Sequence, residues 1–441
     1  MRLSRRSKTS TTRVLWWGES MNNQSHNLLI LGSMDEFVEL VELARNRGYR
    51  TIVVDGYADG PAKRYADAKY DIPITDAKAL AEVCKRERVD GIITAYSDIL
   101  FQCLCRLSDL TGIPSYCPSA GMNFLRDKTL MKKMFEDLSI PTPQSFVVSS
   151  KDESFPVVNY PCVIKPVAGY GSRGVFVVED EAQARARAVE AECVSSQGKA
   201  IMEEYNPDYE FNMIAWVADG AVHAVSIADR EKSSEVSWEV PHVSRIVYPS
   251  RLQDSVREEA LAIVQRVSAY VGLRNGPICM QFFWSAKRGL QVCEIAGRVF
   301  GYEHELLFYS SGLRVEDLLL DTVYDKKSLR RRLEDHDIDS FSRCCCGLYF
   351  HGREAVIGSM DGAVAAIGNA GDSVCESFMY YREGERVGHG FGEKPYVARI
   401  YLCAENYDSL DHSTFDLYRS FDVCDENGKS IVYHNELPSY E

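Results

Sequence analysis

From Asn27 onward the chain alternates short apolar runs with amphipathic stretches. The run "NLLILG" reads as a buried strand ending at Gly32. In "DEFVELVELARNRGY", Phe37, Val38, Val41 and Leu40 or Ala44 recur at helical spacing; the segment opens on acidic residues and stops at Gly48. "RTIVVDG" is a second strand, "DAKALAEVCKRERV" a second helix and "DGIITAYSD" another strand. Strands that alternate with helices predict a parallel, doubly wound sheet, here an α/β domain over residues 25–116. No G-x-G-x-x-G follows the strand ending at Gly32, which argues against a nicotinamide-dependent enzyme.

The prolines and glycines of "TGIPSYCPSAG" interrupt this rhythm and mark a boundary. Beyond it, "MNFLRDKTLMKKMFEDLSI" reads as helical, followed by two strands around a glycine-rich loop in "YPCVIKPVAGYGSRGVFVV". A helix over 181–195, a strand "KAIMEEY" and an antiparallel pair around Asp219-Gly220 come next. Residues 252–271 place Leu252, Val256, Ala260, Ile263, Val267 and Val271 on one helical face. "GPICMQFFW" and "GLQVCEIA" then form a hairpin around Lys287-Arg288-Gly289. These elements predict an α+β core over 117–325. The remainder, 326–441, reads as a smaller β-rich domain made mostly of strands and turns.

Composition narrows the class. A hydrophobic content of 45% with 26% charged residues is that of a globular protein. The formal net charge of -14 gives no general attraction to nucleic acid or to an anionic membrane, although a local basic pocket remains compatible with it. No apolar run approaches membrane-spanning length. Fourteen cysteines are scattered without a C-x-x-C pair. The neighbours Cys344, Cys345 and Cys346 would alternate across a strand, which suits neither one metal nor one disulfide. They read as buried small hydrophobes of a cytoplasmic protein. Residues 1–24 are basic and polar without a signal-peptide core, and read as a disordered tail or as sequence ahead of a start at Met21.

The candidate chemistry begins at Lys165. Its neighbours Val163 and Ile164 place it in an apolar strand, where a lone ammonium is costly unless an anion meets it. Gly169, Gly171, Ser172 and Gly174 follow in "VAGYGSRGV", and glycines let backbone N–H groups surround phosphate oxygens. The bland alternative is a tight turn beside a snorkelling lysine. Glu294, inside "LQVCEIAGR", poses the same problem with opposite sign; Gln281 on the partner strand offers a second oxygen for a hard cation, and Arg298 a fork for phosphate or carboxylate. Here the alternative is an ion pair between Glu294 and an arginine. The strand end Glu203-Glu204-Tyr205 could offer its backbone to an adenine ring and Glu210 could accept from ribose hydroxyls; taken alone, these residues also fit a solvated acidic turn.

In this order and spacing the pieces resemble the ATP-grasp superfamily, in particular the group of the carbamoyl-phosphate synthase large chain, biotin carboxylase and the amino-acid ligases. The resemblance implies a leading α/β domain, a two-lobed ATP-grasp core and a C-terminal extension. It implies ATP and Mg²⁺ (or Mn²⁺) as cofactors. Lys128 in "RDKTLMKK" and Lys165 match the family's phosphate-binding basic residues, and Gly169–Gly174 its glycine loop. Glu203, Glu204 and Tyr205 match its adenine hinge and Glu210 its ribose carboxylate. Gln281 and Glu294 match its metal ligands, and Arg298 its phosphate-facing arginine. "EIAGR" departs from the family's E-x-N-P-R at Ala296, which cannot ligate a metal, and at Gly297.

The resemblance implies a ligase that joins a small-molecule carboxylate to an amine through an acyl phosphate, with Lys165 and Arg298 as the catalytic cations. A homodimer is compatible with it; neither nucleic acid nor membrane is an expected partner. Two other readings stand beside it: an ATP-grasp enzyme with a non-amine acceptor, and an ATP-binding regulatory or scaffold protein with decayed catalysis, which Ala296 favours. Trp238, His242 and Arg245 are candidate substrate-facing residues, as are Glu303 and His304 in "GYEHE".

Overall fold

The computed structural model describes residues 26–438 apart from 115, 157–158, 169–173, 196, 233–242, 302–303, 389–393 and 434. The first unit is a four-stranded sheet of β1 (Asn27–Leu31), β2 (Arg50–Asp55), β3 (Ala68–Asp71) and β4 (Gly91–Ile93). Its order is β3-β2-β1-β4 and every pair is parallel. The central strand β1 is buried throughout Leu28–Leu31, as a parallel strand covered on both faces must be. Helices α1 (Val38–Asn46) and α2 (Ala77–Glu87) are those the pattern predicts. Strand β3 and helix α3 (Asp98–Thr111) are additional: β3 carries no fully buried residue, and α3 begins directly after the strand-like "ITAYS".

The stretch read as helical holds two helices, α4 (Ser119–Phe124) and α5 (Lys128–Asp137). Asp127 is extended, and its carboxylate accepts from the N–H groups of Thr129 and Leu130, an N-cap that restarts the helix. The break holds Arg126 and puts Lys128 at the start of α5. There the Lys128 N–H donates to the Val167 carbonyl at 3.3 Å, next to the glycine-rich segment.

A small antiparallel lobe follows, formed by β5 (Ser145–Val148), β6 (Cys162–Pro166), β7 (Phe176–Val178) and β8 (Ala200–Glu204) in the order β5-β8-β6-β7. Helix α6 (Glu181–Val194) packs its Ala184, Ala188 and Ala191 against Cys162, Ile164 and Met202. The large lobe is built from β9 (Tyr209–Ala218), β10 (Ala221–Lys232), β11 (Val243–Tyr248), β12 (Gly276–Ser285) and β13 (Gly289–Ala296), with α7 (Gln253–Val271) across them. Helices α8 (His304–Ser311), α9 (Val315–Tyr324) and α10 (Lys326–Asp335) lead onward.

The C-terminal residues contribute β14 (Cys344–His351), β15 (Ala355–Ser359), α11 (Asp361–Ala370), β16 (Val374–Met379), β17 (Arg386–Val387), β18 (Tyr396–Ala404), α12 (Tyr407–Ser420) and β19 (Cys424–Asp425). Three of these strands join the large lobe in one eight-stranded antiparallel sheet, ordered β13-β12-β9-β10-β11-β14-β18-β16. Helices α10, α11 and α12 were not expected in a segment read as strands and turns. In α12, Leu410, Thr414, Leu417 and Tyr418 form the buried stripe within a mostly polar sequence, and Asn406 caps it. Adjacent cysteines do face opposite ways: Cys345 lies in the main core and Cys346 in the second core that α11 and α12 cover. None of the fourteen cysteines is in a disulfide. Among the described residues no helix is long and apolar enough to cross a membrane.

Candidate functional site

Lys165 projects from β6 into the small lobe and is 7% exposed. Its ammonium lies 2.7 Å from Glu203 Oε1, while Lys132 of α5 reaches the other oxygen of the same carboxylate at 2.6 Å. Strand alternation explains the choice of acid: β8 is buried through Glu203 and exposed at Glu204. Burial works against the Lys165 charge, but the Glu203 carboxylate outweighs it and holds the ammonium above its ordinary range. Lys132 is lowered, chiefly by burial and also by Lys165, despite Glu203. Two ammonium groups thus share one carboxylate. Lys132 was not singled out from sequence; at helical spacing in "LMKKMF" it points inward while Lys133 points to solvent.

The expected adenine hinge is placed at the end of β8. There the Glu204 N–H donates to Gln144 and the Tyr205 N–H to the Pro161 carbonyl. Gly174 is described at the start of β7's approach, with φ +69°; Gly169, Gly171 and Ser172 lie outside the described residues, as do Trp238, His242 and Glu303.

Facing this lobe, the large sheet carries a row of polar side chains. Gln281 pairs directly with Glu294 across β12 and β13, Phe283 pairs with Glu210, and Glu210 with Arg230. Directly opposed residues point to the same face of a sheet. Glu210 is 5% exposed and bonds Arg230 Nε at 2.5 Å, Lys232 and the Gln281 amide. Burial would raise its pKa, but Lys232 and Arg230 hold it below the usual carboxylate range. It is therefore an internal ion pair rather than a solvated turn. Arg230 and Lys232 escaped notice, although cations two apart at the end of a strand share a face. Glu294, expected to be buried, is 40% exposed in its side chain. The reason is topological: β13 is the outermost strand of the sheet. Among the described residues its ion pair is with Lys128, at 3.9 Å, not with an arginine.

Arg298 follows in the loop after β13. Its Nε and Nη2 bind the two oxygens of Asp98, both at 3.0 Å, so α3 of the leading domain fixes the guanidinium by a bidentate fork. Burial opposes the Asp98 charge; Arg298, with Arg126 and Lys128 beyond it, nonetheless holds that carboxyl below the usual range. Arg126 Nη1 stands 3.9 Å from Asp98 Oδ2. The glycine at 297 also belongs to this interface: a Cβ there would sit 2.5 Å from the Phe101 ring. The departure from proline at this position thus has a local steric cause.

His304 opens α8 and is buried between carboxylates, with Nδ1 2.6 Å from Glu316 and Nε2 3.3 Å from Glu305. Tyr96 of the leading domain donates to the same Glu316 at 2.6 Å. Burial works against the imidazolium, but Glu305 and Glu316 push it up to about 10, and Glu305 is held down at about 2. The stabilisation from His304 is therefore full below its unperturbed value of 6.5 and is lost as pH rises toward 10. Unfolding temperature should fall over that interval, and His304→Gln should flatten the fall; an equal slope in the variant would refute the ion pair. Arg245, a candidate for the substrate pocket, is instead fully buried and bonds Asp411 of α12 at 2.7 Å.

A parallel α/β domain, a small antiparallel lobe and a large sheet, with cations gathered between the lobes, is the architecture of the ATP-grasp fold. Residues 158–304, a third of the chain, match the family model of the ATP-grasp domain. It is 29% identical over 234 residues to a formate-dependent phosphoribosylglycinamide formyltransferase of Aliivibrio fischeri, covering 51% of this chain and 59% of that protein. It is 28% identical over 195 residues to the enzyme of that name in Sulfolobus acidocaldarius, covering 43% and 48%. The chain thus spans about half to three fifths of the length of these relatives. An L-amino acid ligase from Bacillus licheniformis shares the fold with a TM-score of 0.76 at 17% identity, covering 91% of this chain and 99% of that one. The biotin carboxylase domain of a Hydrogenobacter thermophilus 2-oxoglutarate carboxylase does so at 0.68 and 15%, covering 92% of each chain.

Proposed function

We propose that this protein is an ATP-dependent ligase that activates a small carboxylate as an acyl phosphate and transfers the acyl group to an amine. The observation that carries the reading is the cluster of Lys128, Lys132, Lys165 and Arg298 gathered beside the Gln281–Glu294 pair within an ATP-grasp domain. A carboxylate oxygen attacks the γ-phosphorus of ATP, the bond to the β-phosphate oxygen breaks and ADP leaves. The amine nitrogen then attacks the acyl carbon, inorganic phosphate departs, and the amine proton passes to solvent. Such chemistry rests on positioning and charge neutralisation.

Lys128 and Lys165 would bind phosphate oxygens and Arg298 the transferring group. Glu203–Tyr205 and Glu210 would position the nucleoside. The residues present fit a divalent cation: Glu294 faces open space directly opposite Gln281. Together they would hold Mg²⁺, which supplies charge neutralisation at the phosphates when bound. The relatives named for formate-dependent formyl transfer and for amino-acid ligation support carboxylate activation as the shared step. The mostly buried cysteines, none in a disulfide, support a cytoplasmic location.

ADP release from MgATP, measured over pooled carboxylates with and without pooled amines, tests the proposal. Release that needs both pools supports the ligase; MgATP binding with no release from any pool overturns it. Ala296, where a metal-ligating asparagine is expected, supports the second reading, a nucleotide-binding protein without turnover; Ala296→Asn would then restore ADP release. Asp98→Ala, which frees Arg298 from its fork, should lower turnover by about 100-fold, the scale of a small misplacement at a reacting centre. A wild-type rate in that variant would remove Arg298 from the reaction.

A further inference from the structure

The Asp98 carboxylate has two oxygens, and Arg298 takes both at 3.0 Å. Arg126 points at the same acid but comes no nearer than 3.9 Å, beyond hydrogen-bond distance. Its side chain is only 17% exposed, and its Nε is buried with no acceptor. A guanidinium Nε withdrawn from water without an acceptor is unfavourable, and the group has five donors to satisfy. Charge points the same way. Arg126, Lys128 and Arg298 stand around Asp98 and Glu294, so this cluster carries one more positive charge than negative.

The backbone fixes the place. Arg126 lies in the break between α4 and α5, two residues before Lys128, whose N–H holds the Val167 carbonyl at the approach to the glycine-rich segment. Arg298 engages Asp98 through its Nε and Nη2 edge, which leaves its Nη1 donors for another acceptor.

We propose that Arg126 is a ligand-binding residue of this site, and that with Arg298 it forms a two-arginine pocket for an oxyanion of the reacting molecules. The inference deepens the ligase reading and rests on it. The oxyanion is either the carboxylate to be activated or the phosphoryl group being transferred. Asp98 is the positioning residue that holds the pocket together from the leading domain.

The test uses the full chain saturated with MgADP. Sodium formate, as the smallest carboxylate, and inorganic phosphate are titrated separately by calorimetry, with sodium chloride at equal ionic strength as the control. Saturable binding of at least one anion is expected, weakened tenfold or more in Arg126→Ala. Arg126→Lys should fall between the two, because it keeps the charge and loses the fork. Weakening confined to formate assigns the pocket to the carboxylate, and weakening confined to phosphate assigns it to the phosphoryl group. Anion binding by Arg126→Ala as tight as wild type, or no saturable anion binding by wild type, overturns the proposal. If wild type fails to bind MgADP, the ligase reading falls separately, and the same titrations without nucleotide still decide the role of Arg126.

Discussion

Lys165→Met should abolish measurable ADP release while leaving a folded protein. Methionine keeps the length and apolar stem of the side chain and removes only the ammonium. The Glu203 carboxylate that Lys165 contacts at 2.7 Å would not be stranded, because Lys132 still meets it at 2.6 Å. The loss therefore falls on whatever anion the pair of lysines serves. Removing one charged donor aimed at a transferring group costs about 10²–10³-fold in rate. Steady-state ADP release and MgATP affinity, measured beside a thermal unfolding curve, separate a catalytic defect from a folding one. Full turnover in the variant would sink the assignment of Lys165.

The second large effect should be on stability. Glu203→Ala removes the shared carboxylate and leaves two buried ammonium groups facing each other, with Lys165 8% and Lys132 14% exposed in their side chains. Breaking a buried ion pair by deleting one partner destabilises by about 3–5 kcal/mol. Urea unfolding at neutral pH measures it. The Glu203 carboxyl is held below its ordinary range by Lys165 and Lys132 against the effect of burial. Its contribution is present above the unperturbed value of 4.5 and lost as pH falls below it, so the variant and the wild type should converge in acid. Adding Lys132→Met and Lys165→Met to Glu203→Ala should recover much of the loss. A wild-type unfolding midpoint for Glu203→Ala alone would show that water, not Glu203, neutralises the lysines.

The contrast between Lys165 and its partner shows what the sequence made legible. A lysine inside "VIKP" announces a buried charge, and the glycines beside it announce a binding loop. Its partner is 38 residues away, in an acidic doublet whose inward member cannot be told from the outward one until the register of β8 is known. Glu210 was visible, but not the two cations that hold it, because the turn of β10 back along β9 is what brings Arg230 opposite. Glu294 was read as buried because its neighbours are apolar; that inference fails at a sheet edge, where alternate residues face a cleft. Asp98 was invisible for another reason. It acts on a residue 200 positions later across a domain boundary, and local periodicity carries no information about such a contact. Helix α12 of the C-terminal segment was missed because its buried stripe of four residues lies within a polar sequence.

The eight-stranded sheet limits how this protein can be divided. Strand β11 is bonded to β10 on one side and to β14 on the other, through pairs from Arg245–Leu348 to Tyr248–Cys345. Excising the stretch that matches the ATP-grasp domain, 158–304, would strip that outer side. A row of unpaired backbone groups would then open on a strand whose Ser244–Tyr248 are buried in the whole chain, a template for edge-to-edge self-association. The same cut would discard Asp98 and Arg126. Swapping catalytic segments between this chain and its relatives should therefore graft the flanking strands and the leading sheet together with the core, as one inheritable block.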